Sequence, residues 1–166
     1  MKRMGQSLGK AEILGGLLHR IESFEPVNFE TEFKDRLILQ KTIYLMQSFD
    51  LFIGYHFNWY LRGPYSPALT KDAFELINEY KELPTVHFVD KTAEERFNNF
   101  MSFTRDHIND EYWLEAMASI HYLYHRSLVK DRDDILKTIR NKMPALKRGD
   151  FDDYWDDLCK IGLIGD

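Results

Sequence analysis

The chain has 166 residues, one cysteine and a formal net charge of −5. Hydrophobic residues make up 44% and aromatic residues 14% of it, which is enough to build one buried core and too much for a disordered chain. The acidic balance disfavours non-specific binding to nucleic acid or anionic membranes, and the lone Cys159 excludes an internal disulfide.

Neither the first residues nor the apolar runs carry a targeting or membrane signal. Met1, Lys2 and Arg3 imitate a basic leader, but Glu12 interrupts the apolar stretch that follows and no cleavage site is visible. No run of about 18 uncharged apolar residues occurs. We therefore expect a cytoplasmic protein with no membrane-spanning helix. We also expect a single domain over residues 1–166, because no linker-like segment divides the chain.

Helical spacing of apolar residues predicts two helices in the first fifty residues. The first covers residues 11–23 and ends before Pro26, and the second covers residues 31–50. Apolar side chains surround most of the second helix, so we expect it to lie centrally in the fold. The polar residues that we place on its wetter side are Gln40, Lys41 and Gln47.

A strand, a turn and a capped helix follow. Residues 55–62 alternate between the two faces of a strand. Ser66 is a natural N-cap and Pro67 suits the first helical position, so a helix is expected from Pro67 to about Tyr80. Residues 86–89 form a second short strand, which we expect to pair with the first.

Four further helices are predicted, the first with Thr92 as N-cap and Glu95 completing a capping box. They cover residues 92–107, 112–129, 131–143 and 151–161. The prediction is thus a mainly α fold of six or seven helices with a small two-stranded β element. A winged-helix-like arrangement also fits this order of elements.

Two histidines, His121 and His125, lie four residues apart on a predicted helix, where two imidazoles can share one metal ion. A third ligand would have to come from His87, His107 or a distant carboxylate. We favour a structural interpretation, with both histidines at the edge of an aromatic core, and keep a metal-dependent enzyme as an alternative.

Other residue types associated with catalysis lack the context that catalysis needs. Ser66 and Ser127 have no nucleophile-elbow glycines, and Cys159 follows acidic residues that disfavour a thiolate. Gly15 and Gly16 lie inside an apolar helix, where close helix packing is the simpler explanation than phosphate binding. We expect no catalytic residue and no cofactor, and therefore not an enzyme.

The turn formed by Arg62, Gly63, Pro64, Tyr65 and Ser66 is the best candidate for partner binding. Its glycine and prolines fix the backbone, while Arg62 and Tyr65 present hydrogen-bond donors and an aromatic surface. The alternative is a tight strand-to-helix corner with Tyr65 packed inward.

The last third of the chain is polarised. Five basic residues with no acid among them occur between positions 137 and 148, and five aspartates follow up to position 157. We favour a solvated surface whose charges pair with one another, and the acidic run could instead face a basic partner.

Residues 39–45 (LQKTIYL) together with residues 57–67 (FNWYLRGPYSP) resemble the pattern of Panacea-type domains, the SocA/GepA-like phage-associated proteins. The Gly-Pro-Tyr-Ser turn, leading to a helix with Leu69 and Asp72, is similar to the YwgA-like group. The match covers residues 36–82. It implies a mostly helical antitoxin or adaptor that binds another protein and brings no catalytic residues.

The leading hypothesis is therefore a cytoplasmic prokaryotic interaction or regulatory module whose partner is another protein, such as a toxin or phage-related factor. Exposed aromatic side chains would also suit a homo-oligomer face. The rival is a winged-helix-like transcriptional regulator that reads DNA with the helix after Pro67. That helix carries Lys71 against Asp72, Glu75 and Glu79, a poor match for phosphates.

Overall fold

The computed structural model describes residues 2–3, 8–21, 24, 32–80, 82–128 and 131–165. Its helices are α1 (Lys10–Arg20), α2 (Phe33–Ser48), α3 (Pro67–Glu79), α4 (Lys91–Thr104), α5 (Glu111–Arg126), α6 (Arg132–Arg140) and α7 (Arg148–Lys160). A short 3-10 helix (Arg105–His107) follows α4. The strands within these described residues are short: β1 (Lys2–Arg3), β2 (Asn58–Tyr60), β3 (Gly63–Tyr65) and β4 (Val86–His87). The predicted mainly α fold with a small two-stranded β element is confirmed, and the structure shows that β2 and β3 pair antiparallel.

The predicted helices match the observed ones within a few residues at each end. The expected stop at Pro26, the start at Thr31 and the end at Val129 lie outside the described residues. Buried side chains from all seven helices belong to one hydrophobic cluster. Helices α2 and α5 pack against each other at its centre, and their middle turns are buried on most sides. No helix in the described part of the chain is long and apolar enough to cross a bilayer.

The expected pairing of residues 86–89 with the first strand is wrong. Strand β2 instead pairs antiparallel with β3, with Asn58 opposite Tyr65 and Tyr60 opposite Gly63. Gly63 has φ +92°, a conformation that side chains with a Cβ rarely adopt, and it lets the chain reverse directly after β2. Strand β4 pairs in parallel with β1. A winged-helix arrangement would require the two strands that flank α3, β3 and β4, to pair with each other. They do not, because β3 pairs with β2 and β4 pairs with β1.

Two helix caps illustrate how local sequence decides where helices begin. Ser66 caps α3 as predicted, because its Oγ accepts a hydrogen bond from the Leu69 backbone nitrogen at 3.4 Å. The predicted cap of α4 at Thr92 is wrong, since Asp90 Oδ1 accepts from the Ala93 backbone nitrogen at 2.7 Å. An aspartate two residues earlier competes for the same role with a stronger, charged acceptor.

The close packing predicted for Gly15 and Gly16 is confirmed. A Cβ on Gly16 would overlap the side chain of Val86, and a Cβ on Gly15 would lie 2.7 Å from Pro84 Cδ. Helix α1 can therefore approach the segment around β4 only because these positions have no side chain.

Candidate functional site

A cleft of about 490 Å³ lies where the first turns of α2 meet the tip of the β2–β3 hairpin. We call it the hairpin-tip cleft. Its size falls within the roughly 300–1,000 Å³ range of clefts that bind small ligands or short chain segments. The residues that line it are Phe33, Arg36, Leu37, Gln40, Lys41, Tyr60, Leu61, Arg62, Gly63 and Tyr65.

The structure separates the five residues predicted to bind a partner. Gly63, Pro64 and Ser66 are buried, Tyr65 is half-buried and Arg62 is exposed. A Cβ on Gly63 would lie 2.6 Å from Ser119 Oγ on α5, so only glycine fits beneath the hairpin. Gly63, Pro64 and Ser66 are thus an internal support, and of the five predicted residues Arg62 and Tyr65 are the two whose side chains can contact a partner directly.

Gln40 holds the corner from α2, and its expected position on the wetter side of the helix is wrong. The side chain is 1% exposed. Its Oε1 accepts from the Ser66 backbone nitrogen at 2.8 Å, and its Nε2 donates to the Ser66 carbonyl at 2.8 Å. Nε2 also donates to Thr70 Oγ1, which lies 2.8 Å from the Tyr65 hydroxyl. The amide satisfies backbone groups of a buried turn that no strand partner reaches.

Arg62 is anchored by Glu115 of α5. Arg62 Nε lies 2.9 Å and 3.1 Å from the two carboxylate oxygens, and its Nη2 lies 2.5 Å from Oε1. The Arg62 side chain is 44% exposed and that of Glu115 is 2% exposed. The hydrogen bonds that Arg62 donates to Glu115 raise the pKa of Arg62. Removing Arg62 would leave the carboxylate of Glu115 inside the core without its ion-pair partner.

Lys41 lies at the floor of the cleft, and its expected exposure is also wrong because its side chain is buried, with 2% exposed. Its Nζ donates to the Pro64 carbonyl at 2.5 Å and forms no ion pair with any described residue. Burial lowers the pKa of Lys41 to about 7, with Glu115 acting to raise it and Arg62 acting to lower it further. At neutral pH the amine is therefore poised between its charged and neutral forms.

The rim of the cleft is apolar and aromatic. Phe33, Tyr60 and Leu61 are exposed, and Leu61 is 83% exposed. The Arg62 guanidinium lies 5.5 Å from the centre of the Phe33 ring, and Tyr60 packs edge-on against Tyr65 at 5.3 Å between ring centres. These contacts hold the aromatic rim in place around a floor that carries cationic groups.

His121 and His125 do not belong to this cleft. His121 Nδ1 lies 2.7 Å from the Tyr44 hydroxyl, and His125 Nε2 donates to the Leu163 carbonyl at 2.7 Å. Burial, and then His125, lower the pKa of His121 to about 3. Among the residues that the structure describes, no group of three or more histidine, cysteine or carboxylate side chains is placed to hold a metal ion. Each histidine already uses one ring nitrogen in a hydrogen bond, part-buried for His121 and exposed for His125.

The charged C-terminal segment pairs with itself in part. Arg148 lies against Asp133 at 2.5 Å and against Asp152 at 3.5 Å, and Arg132 contacts Asp152 and Asp156 at 3.5 Å. These ion pairs are at least partly exposed, and all of them except the Arg148–Asp152 contact within α7 connect α6 with α7.

Sequence reasoning missed Lys41, Gln40 and Glu115 as site residues. Of these three, Glu115 carried a signal, because it is a charged residue between Leu114 and Ala116 in an apolar run of a predicted core helix. Phe33 and Leu61 carried no such signal, since an apolar residue near the end of a helix or strand usually packs inward.

Comparisons with protein-family models, with curated proteins and with solved structures find no match to this chain. The resemblance to Panacea-type and YwgA-like proteins therefore stays a prediction.

Proposed function

We propose that this chain is a non-catalytic interaction or regulatory module of prokaryotic or phage type, which acts in the cytoplasm by binding another protein through the hairpin-tip cleft. An antitoxin-like or adaptor-like role, as the resemblance implies, is the form of this function that we favour. No cofactor is part of the proposal.

The observation that carries the proposal is an exposed apolar rim mounted on a rigid support. Leu61 and Tyr60 project from a hairpin that is held by Gln40, Lys41 and the Arg62–Glu115 pair. Binding to a surface that is already ordered costs little conformational entropy, so such a surface is suited to recognition. Large exposed apolar side chains grouped around a cleft are also typical of binding sites.

A second observation supports the proposal. The two segments that carry the family resemblance touch each other, because Gln40 and Lys41 of the LQK segment bond to Ser66 and Pro64 of the turn. The residues shared with the family pattern thus form the support of the cleft.

A substitution of Leu61 tests the proposal. The tagged chain is first purified from its native host, and the protein that co-purifies in stoichiometric amount is produced alone. Its dissociation constant is then measured with the wild type and with Leu61→Gln, a change that removes apolar surface without adding charge beside Arg62. We expect Leu61→Gln to weaken binding by about tenfold, since exposed anchors at interface centres contribute at least this much.

The matched control is Leu128→Gln, because Leu128 is 102% exposed and is not among the residues that line the cleft. We expect it to leave the dissociation constant within about twofold of wild type. If both variants weaken partner binding equally, or if neither variant weakens it, the hairpin tip is not part of the interface. Recovery of no stoichiometric protein, apart from a second copy of this chain, would overturn the proposed partner class.

A further inference from the structure

The floor of the hairpin-tip cleft carries positive charge in a protein that is acidic as a whole. Arg36, Lys41 and Arg62 line the cleft, and no acidic side chain is among the described residues that line it. The carboxylate of Glu115 lies beneath Arg62 and has both of its oxygens bonded to that guanidinium. The formal net charge of the chain is −5, so this grouping of cations runs against the average surface.

Of these three cations, Lys41 is the one that we expect to bind an anion, because it has unused hydrogen-bond donors. An ammonium has three N–H donors, and the one hydrogen bond of Lys41 Nζ with a described residue goes to the Pro64 carbonyl. A Cβ on Gly63 would lie 3.7 Å from the Lys41 Nζ, and both residues line the cleft, so the glycine leaves space beside the amine. A buried cation without a paired anion is costly, and an incoming anion would supply the missing partner.

The apolar lining restricts which anion fits. Phe33, Leu37 and Leu61 line the cleft with apolar side chains, so the ligand must bring apolar surface together with its charge. A phosphate would need several donors and a wet site, whereas one carboxylate matches the two remaining N–H groups of one ammonium. The cleft is therefore suited to a single carboxylate that is joined to apolar groups.

We propose that the hairpin-tip cleft captures the C-terminal carboxylate of a partner protein whose last residues are apolar, with Lys41 as the group that binds the carboxylate. This inference rests on the proposed function and specifies the chemistry of the partner. A chain end enters with its carboxylate first, and the polypeptide has to leave the cleft in one direction only. An internal Asp or Glu would draw peptide groups on both sides of it into an apolar lining that cannot satisfy them.

Proton uptake is a consequence of this assignment. The titratable and charged groups that line the cleft with Lys41 or lie beneath it are Arg36 on α2, Tyr60, Arg62 and Tyr65 on the hairpin, and Glu115 on α5. Glu115 is already paired with Arg62, which leaves Lys41 as the group that gains an anion on binding. Since the pKa of Lys41 is about 7, the free protein at about pH 8 holds this amine mostly neutral, and a bound carboxylate would draw a proton onto it.

A peptide pool tests the inference on the intact chain. The pool carries Leu, Ile, Val, Phe and Met in all combinations at its last three positions, and it is made once with free C-termini and once with C-terminal amides. Mass spectrometry identifies the peptides retained by the protein, and calorimetry in two buffers of different ionisation enthalpy counts protons. We expect free C-termini to be retained about tenfold more strongly than amides, with uptake of a proton at about pH 8.

Lys41→Met keeps the apolar stem of the side chain and removes the amine, and we expect it to abolish the preference for free C-termini. Lys91→Met, at an exposed lysine at the start of α4, is the matched control and should preserve that preference. The comparison of acids with amides on the wild type does not depend on either variant folding.

Several outcomes would overturn the inference. These are equal retention of acids and amides, no retention of either pool, or a preference that survives Lys41→Met. A version of the best peptide with an internal glutamate and an amidated C-terminus also serves as a probe. If it binds as tightly as the free acid, the site recognises acidic side chains. Equal binding of free hexanoate would assign it to small carboxylic acids. If Leu61→Gln still weakens the native partner in any of these cases, the proposed function stands while this inference fails.

Discussion

The carboxylate of Glu115 lies inside the core and both of its oxygens are bonded to Arg62, whose guanidinium reaches it from the tip of an otherwise exposed hairpin turn. The pair connects α5 with the hairpin across 53 positions of sequence. An exposed arginine that would ordinarily be assigned to partner contact is therefore also part of the support of the fold.

Arg62→Ala is expected to destabilise the protein by about 2–3 kcal/mol. This is less than the roughly 3–5 kcal/mol of a fully buried pair, because Arg62 is nearly half exposed and Lys41 lies close enough to compensate in part. Urea unfolding measures the change. The double variant Arg62→Ala, Glu115→Met should recover at least half of the loss, since it removes the uncompensated charge. A loss below about 0.5 kcal/mol in Arg62→Ala would contradict this account.

The packing around Gly16 and Gly149 predicts opposite effects of alanine substitution on stability at these two positions. Gly16→Ala should cost about 1–3 kcal/mol, because the new Cβ overlaps Val86 in a packed interior. Gly149→Ala in α7 meets nothing within 4 Å and should be neutral or stabilising by up to about 1 kcal/mol. Thermal unfolding of both variants gives the comparison. Adding Val86→Ala to Gly16→Ala should restore part of the loss, and equal behaviour of the two glycine variants would contradict the packing argument.

Lys41 predicts how stability depends on pH. Its pKa is about 7 in the fold against an ordinary 10.5, so between these values the unfolded chain binds the proton more strongly and wild-type stability rises with pH. Lys41→Met lacks this contribution. Relative to that variant, the wild type should gain about 4 kcal/mol between about pH 7 and about pH 10.5. Urea unfolding of both proteins at several pH values checks this, and parallel stability curves would count against the buried amine.

Most of the helices could be predicted because their signals are local. Helix α3 is the clearest case, since Ser66 and Pro67 define its first turn and apolar residues at helical spacing define its length. The start of α4 was misplaced by two residues because Asp90 and Thr92 both have side chains suited to a cap, and only geometry shows which of them is used.

The site could not be predicted because its contacts are non-local. Gln40 and Ser66 are 26 positions apart, and nothing near Gln40 in the sequence indicates that a buried backbone turn needs its amide. Helical periodicity assigns such a polar residue to the solvent, and it did so here for Lys41 as well. Glu115 carried a readable signal, since it lies between Leu114 and Ala116 in a run of buried residues. The identity of the strand that pairs with β2 depended on the backbone of Gly63.

Leu61 and the residues that follow it tolerate substitution to different degrees. Its side chain contributes almost nothing to the interior, while the residues after it are fixed by the packing of α2 and α5 beneath them. Substitutions at this tip can therefore change the exposed surface without a new scaffold, and substitutions at Gly63, two residues further along, cannot.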